Sequence, residues 1–237
     1  MAGKLYGIGV GPGDPELVTL KAKRILEQVD VLLIPKSKIE KRSIALEIVQ
    51  QVIDRSWEQV ELLLPMTTDK GALQEHWMTA AEQIVAVLQS GKTAAFITLG
   101  DPSLYSTFTY LSRNVTQILP EAEIEIVPGI SSIHSVAAWL QVPLAESDES
   151  VAIVPALKEH DILHKVVSDF DNVVLMKVGN HIDKVADVLD NVEGDKRVYY
   201  ASRCGFADGY FTDDLQELRG RKLDYLSTLV IKRGEQT

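Results

Sequence analysis

Three glycine-bearing turns hold residues that could meet a ligand: Gly7-Ile8-Gly9-Val10-Gly11-Pro12-Gly13-Asp14, Gly100-Asp101-Pro102, and Pro128-Gly129-Ile130-Ser131-Ser132. The first invites comparison with a dinucleotide fingerprint, whose glycines let the backbone approach a pyrophosphate. The spacing does not match. Counted from Gly7, the third glycine falls on Pro12; counted from Gly9, it falls on Asp14. Pro12 has no N–H to offer a phosphate, and a carboxylate at Asp14 repels one. The turn suits a ligand without phosphates, or is a plain tight β–α turn. The Asp101 carboxylate can accept bonds from hydroxyls or an amine, or can cap a helix. Ser131 and Ser132 bring hydroxyls to the opening of another helix. Each turn follows a predicted strand. Ligands of open α/β sheets bind outside the carboxyl ends of the strands, so the three turns can line one crevice.

A fourth stretch, Pro35 to Ser43, carries Lys36, Lys38, Lys41 and Arg42 against Glu40, a local charge of +3. It reads as a solvated loop or as a clamp for an anionic substrate, where local field outweighs net charge. Other patterns carry less. Ser90-Gly91-Lys92-Thr93 imitates the end of a P-loop, but Ala86 stands where the distal glycine belongs, and a helix precedes it. His160 and His164 are spaced for one helix face but lack a third ligand, so no metal site is expected. Gly129-Ile130-Ser131-Ser132-Ile133 lacks the second glycine of a nucleophile elbow.

The positioning elements follow from periodicity. Strands are predicted at Leu5–Val10, Val31–Ile34 (closed by Pro35), Val60–Leu64, Thr93–Leu99 and Ile124–Val127. Helices alternate with them: one opening at Asp14-Pro15, then Ile44–Ile53, Leu73–Gln89, Leu104–Val115, and one opened by Ser131 and ending at Leu140. Strand–helix alternation sustained this long predicts a mostly parallel α/β sheet. The polar segment 142–150 reads as a linker between domains 1–141 and 151–237. Beyond it come strands at Val151–Val154, Val173–Val178, Arg197–Ala201, Gly209–Thr212 and Tyr225–Lys232, with helices at Asp161–Ser168 and Ile182–Leu189. The last two strands are predicted to pair antiparallel. The second domain is therefore a mixed-sheet α/β domain.

The chain has 237 residues, 46% of them hydrophobic and 24% charged, with a formal net charge of −10. Folding at this length buries about 70% of the unfolded surface, enough for a core without staples. The acidic balance argues against nucleic acid as a partner. No 18-residue apolar run predicts a membrane span, and the first residues lack the pattern of a signal peptide. Cys204 is the single cysteine, which excludes an intrachain disulfide and a Cys-based zinc site. A reducing, cytoplasmic location is expected.

In order and separation, the turns resemble the tetrapyrrole methylases. The resemblance rests on Leu5 through Thr19, on Gly100-Asp101-Pro102 with Tyr105, on Pro128-Gly129-Ile130-Ser131, and on Tyr225 through Ile231. Phe96 through Thr107, and Pro65-Met66 followed by Trp77, are most similar to the branch that methylates carbon 20 of precorrin-2. The resemblance implies two α/β domains with a cofactor cleft between them, and a homodimer. It also implies S-adenosylmethionine as methyl donor, with S-adenosylhomocysteine as product, and an anionic tetrapyrrole, precorrin-2 or its cobalt form, as acceptor. It places cofactor contacts at Pro12, Gly100, Asp101, Leu104, Ser131, Ser132, Met176, Cys204 and Thr228. Asp14 and Tyr105 are the candidates for positioning or proton transfer, and Lys36 and Lys38 for the acceptor's carboxylates. Methyl transfer from an activated donor demands alignment above all, so no catalytic triad is expected, and the sequence holds none.

Overall fold

The computed structural model describes residues 2–38, 42–67, 69–155 and 160–234. Its chain divides into two compact units, Met1–Ser131 and Ser132–Thr237.

The first unit is built on five parallel strands: β1 (Lys4–Gly9), β2 (Val31–Lys36), β3 (Glu58–Leu63), β4 (Ala94–Thr98) and β5 (Glu123–Val127), in the order β3-β2-β4-β1-β5. Strands covered on both faces read as continuous apolar runs, as Val31–Ile34 and Ala94–Ile97 do. On one face Leu5, Leu33, Leu62 and Phe96 form a core with Ile84 and Leu88 of α3 (Lys70–Gln89) and Phe108 and Leu111 of α4 (Phe108–Ile118). The alternate residues Ile8, Leu32, Ile34 and Ile97 are equally buried. So are Ile25 and Leu26 of α1 (Leu20–Leu26) and Ile48 and Val49 of α2 (Ile44–Val52). Gly7 belongs to the packing rather than to the ligand turn. A Cβ there would lie 2.2 Å from the Phe108 ring.

Several boundaries differ from the sequence expectation for local reasons. Asp14 does cap, accepting from the Glu16 amide at 2.8 Å, but only a short 3-10 turn, Pro15–Leu17, follows. Val18 is extended, and the Thr19 hydroxyl caps α1 afresh through the Ala22 amide. Strand β2 runs on through Pro35, because β4 pairs only with Val31–Leu33 and the missing N–H removes no bond on that side. Helix α4 starts at Phe108 rather than Leu104; Tyr105 is left-handed (φ 50°), which interrupts the earlier turn.

The second unit opens with α5 (Ser132–Leu140) and continues β6 (Val151–Pro155), α6 (His160–Asp169), β7 (Asn172–Met176), α7 (Ile182–Asn191), β8 (Lys196–Ser202), β9 (Tyr210–Thr212) and β10 (Ser227–Arg233). Its sheet has the order β6-β7-β10-β8-β9, with β6 and β7 parallel and the other pairs antiparallel. The expected pairing of the last two strands does not form: β8 lies between β9 and β10 and pairs with both. One face of the sheet packs Leu175, Tyr200 and Leu229 with Leu163 of α6 and Val185 of α7. On the other, Ala201 and Val230 pack with Val136 of α5 and Cys204.

By compactness, then, α5 goes with the second unit, and the break falls at 131/132 rather than within 142–150. The polar residues that suggested a linker are hydrogen-bonding to the second unit. Ser150 donates its amide and hydroxyl to Asp171 at 2.9 and 2.7 Å, Asn172 donates to Glu149, and Lys232 donates to the Pro143 carbonyl.

Candidate active site

Strands β4, β1 and β5 are neighbours, so their carboxyl ends deliver residues 98–105, 9–14 and 128–131 to one edge of the first sheet. Backbone pairing continues past β1 and β4, ending in an isolated antiparallel bridge between Gly11 and Gly100. Val10 donates to Thr98 O at 3.0 Å, and Gly100 and Gly11 exchange N–H···O bonds at 2.8 and 3.4 Å. Gly100 needs its glycine, since its φ is +66°. The loops then close to backbone contact. A Cβ on Gly9 would lie 2.4 Å from Gly100 O, and one on Gly129 would lie 2.2 Å from the same oxygen. These distances are far below van der Waals contact, so both positions exclude every other residue as the loops stand.

Asp101 fastens this cradle. Its Oδ2 accepts from the Gly129 amide at 2.9 Å, and its Oδ1 accepts from the Ser103 amide at 2.8 Å and from the Ser103 hydroxyl. Partial burial acts to raise the carboxyl's pKa. The bonds from Ser103 and Gly129 outweigh it and hold the pKa below the usual aspartate value. The group is therefore an anion at neutral pH, with both oxygens engaged. Leu104 donates to Asp101 O at 3.3 Å, the Ser106 hydroxyl bonds to Thr98 Oγ1 at 3.1 Å, and Tyr105 projects with 45% of its surface exposed.

The structure thus brings Pro12, Gly100, Asp101, Leu104 and Ser131 into one loop cluster. A Cβ on Gly100 would be 3.9 Å from Ser131 Cα. Asp14 stands two residues beyond Pro12, its Oδ1 engaged as a cap. In the second unit Met176, the last residue of β7, lies directly opposite Thr228 of β10. They share the face that α5 covers, since Val230 lies two residues along β10 from Thr228. Ser132 is the first residue of α5, and Cys204 Sγ is 3.2 Å from Ser135 Oγ on the same helix. Lys36 ends β2 and pairs with Glu61 of β3 at 2.5 Å, so its charge is matched at the sheet edge. Lys38 is exposed; Glu40 and Lys41 of the basic stretch lie outside the described residues, as do the side chains of His160 and Asp161.

Sequence reasoning missed Gly129 as a closing wall and Ser103 as the partner of Asp101. The signal for the second was present, since Asp-X-Ser after a strand is an Asx-turn pattern. Among the described residues no histidine side chain hydrogen-bonds to a serine, cysteine or carboxylate, and no group of three or more His, Cys, Asp or Glu side chains could hold a metal. The edge offers rigid backbone carbonyls and amides with a fixed carboxylate. That equipment can bind a ligand and align it.

The family model described as Tetrapyrrole (Corrin/Porphyrin) Methylases matches residues 4–219. A protein of Methanocaldococcus jannaschii named as a probable cobalt-precorrin-2 C(20)-methyltransferase is 42% identical over 234 residues, 97% of this chain and 96% of that one. The Salmonella typhimurium cobalt-precorrin-2 C(20)-methyltransferase is 31% identical over 234 residues, 98% of each. Among solved structures, a uroporphyrin-III C-methyltransferase of Thermus thermophilus complexed with S-adenosyl homocysteine aligns with a TM-score of 0.71 at 17% identity. It covers 97% of this chain and 92% of that chain.

Proposed function

We infer the function of this chain from its family: it belongs to the tetrapyrrole (corrin/porphyrin) methylases. It is an S-adenosylmethionine-dependent C-methyltransferase that acts at carbon 20 of precorrin-2 or its cobalt form, in cobalamin biosynthesis. The observation that carries this is the 42% identity across nearly the whole chain to a relative named for that reaction. The two relatives named above are both named for the cobalt form, which makes that the first acceptor to try.

The residues present fit the donor. Its cationic sulfonium and amino-acid group suit an edge with carboxylates at Asp14 and Asp101 and with Pro12 where a phosphate would want an amide. Backbone closure at Gly9 and Gly129, with no room for a Cβ, leaves carbonyls and amides as the contacting groups. When bound, S-adenosylmethionine supplies an already activated methyl group. The protein's work is then orientation, whose contribution can reach several kcal/mol. The residues assigned to the donor are Pro12, Gly100, Asp101, Leu104, Ser131, Ser132, Met176, Thr228 and Cys204. Asp101 acts by fixing the loops that make the contacts. The ring carbon must lose a proton after it is methylated, and Asp14 and Tyr105 are the groups assigned to position or accept it. Lys38, and Lys36 in exchange for its Glu61 partner, are assigned to the acceptor's carboxylates. The same reading carries a homodimer and a cytoplasmic location. The single cysteine, buried and in no disulfide, agrees with the second of these; among the described residues no helix is long and apolar enough to cross a membrane.

Steady-state assays with metal-free precorrin-2 and its cobalt complex test the assignment. Turnover of either with S-adenosylmethionine is expected. Turnover of only a later, already C20-methylated intermediate would move the chain to another branch of the family.

A further inference from the structure

The second unit holds a cavity of about 470 Å³ that the site above does not use. Its walls come from the segment after β7 and the segment before β10, and they are fixed. A Cβ on Gly179 would lie 2.3 Å from Asp224 O, so these two stretches touch backbone to backbone. Opposite, Asp183 Oδ1 accepts from the Gly220 amide at 2.9 Å. The lining includes His181, Lys184, Arg221 and Lys222, with Asp183 as the acid. In a chain of net charge −10 this concentrates positive charge.

The cations are left unmatched by a particular arrangement. Helix α7 carries three acids. Asp183 is engaged by the Gly220 amide, while Asp187 and Asp190 both pair with Arg219, at 2.7 and 2.6 Å. Lys184, Arg221 and Lys222 form no ion pair among the described residues. The α7 amino end adds to the field, because His181 precedes it without a side-chain cap and its first amides have no partner within the helix.

We propose that this cavity is a subsite for carboxylate side arms of the tetrapyrrole acceptor, held by Lys184, Arg221 and Lys222. The proposal rests on the reading of the acceptor as an anionic tetrapyrrole. Its place in the fold agrees. Gly179 is three residues beyond Met176, at most about 11 Å of chain. The 220–226 segment leads into Ser227 and Thr228, and the Lys177 amide donates to Ser227 O at 2.8 Å. Cavity and the Met176–Thr228 pair therefore occupy the same end of the second sheet. Three cations on rigid walls suit a ligand with several carboxylates better than a single small anion.

The test is equilibrium binding of uroporphyrin III, a stable octacarboxylate macrocycle, followed by fluorescence at low and high salt. The Lys184→Gln/Arg221→Gln/Lys222→Gln variant is expected to bind about tenfold more weakly at low salt, from three exposed ion pairs. The difference should shrink as salt screens it. Affinity for S-adenosylhomocysteine and the melting temperature should not change. Lys184→Arg/Lys222→Arg, which keeps the charge, should bind as wild type does. Wild-type affinity in the neutral variant overturns the subsite, as does a loss in the charge-keeping variant equal to that in the neutral one. Wild-type protein that does not bind the porphyrin at low salt also overturns it. Wild-type protein that binds the porphyrin in the salt-dependent way described, but methylates no precorrin, overturns the assigned reaction and not the subsite.

Discussion

Replacing Asp101 with alanine removes three accepted hydrogen bonds from the cradle: those from the Gly129 amide, the Ser103 amide and the Ser103 hydroxyl. The Gly129 bond is partly buried and charge-assisted, so its loss costs about 1.5–3 kcal/mol. The Ser103 bonds are exposed, water replaces them, and together they are worth about 0.5–1 kcal/mol. The variant should therefore lose about 2–4 kcal/mol, a fall of roughly 4–16 °C in melting temperature for a chain of this size. Asp101→Asn keeps one acceptor oxygen, for Ser103 or for Gly129, and turns an amino group toward the other donor, so it should lose most of the same stability. Affinity for S-adenosylhomocysteine should fall in both variants, because the turns that carry Leu104 and Ser131 lose their fastening. Calorimetric melting and titration on the same samples read both quantities. A melting temperature within 1 °C of wild type, with affinity strongly reduced, would mean that the carboxylate contacts the ligand and does not fasten the loops. The pH dependence has a fixed sign. The carboxyl's folded pKa is depressed, so the fastening is present above the ordinary aspartate pKa and is lost as pH falls through the folded value.

Three further outcomes are expected. Gly129→Ala puts a methyl 2.2 Å from Gly100 O, and because the obstacle is backbone, about 1–3 kcal/mol of stability should be lost along with S-adenosylhomocysteine binding; a melting curve and one titration check it. Glu125 bonds to Lys21 and Lys4, which lower its pKa to about 2, so its contribution is present above about pH 4.5 and disappears as pH falls toward 2. Melting temperatures of wild type and Glu125→Gln across that range should converge at the acid end, and high salt should narrow the gap throughout. Tyr200 is 1% exposed, its hydroxyl lies among those of Ser202, Tyr210 and Ser227 without hydrogen-bond geometry to any described residue, and burial pushes its pKa up to about 12. Tyr200→Phe should therefore leave stability unchanged or raise it by up to about 1 kcal/mol in chemical denaturation.

The alternation of apolar runs with helical periodicity was enough to place every strand of the first sheet, because a parallel sheet buried on both faces writes itself as Val31–Ile34 and Ala94–Ile97. It was not enough where one residue serves two purposes. Gly7 looks like part of a ligand turn, yet its lack of a side chain admits the Phe108 ring, a contact with a residue 101 positions away in sequence. Segment 142–150 has linker composition, but Ser150, Glu149 and Asp171 use their polarity to bind it to the second unit. The order of β8, β9 and β10 was out of reach, since neighbouring strands in sequence pair by default and only the long-range ladder from Ser227–Ser202 to Arg233–Lys196 shows otherwise. At the candidate site, Asp101 was legible as a carboxylate at a strand end. Its partner Gly129 was not, because the contact is made by an amide that any residue possesses.

The most direct measurement is a single turnover with S-adenosylmethionine bearing a ¹³C-labelled methyl group, offered to cobalt-precorrin-2 and to metal-free precorrin-2, with the product examined by NMR. One new labelled methyl on carbon 20 of the macrocycle is the predicted result. Label on any other ring carbon, or protein that binds S-adenosylhomocysteine tightly and transfers no label to either acceptor, would contradict it.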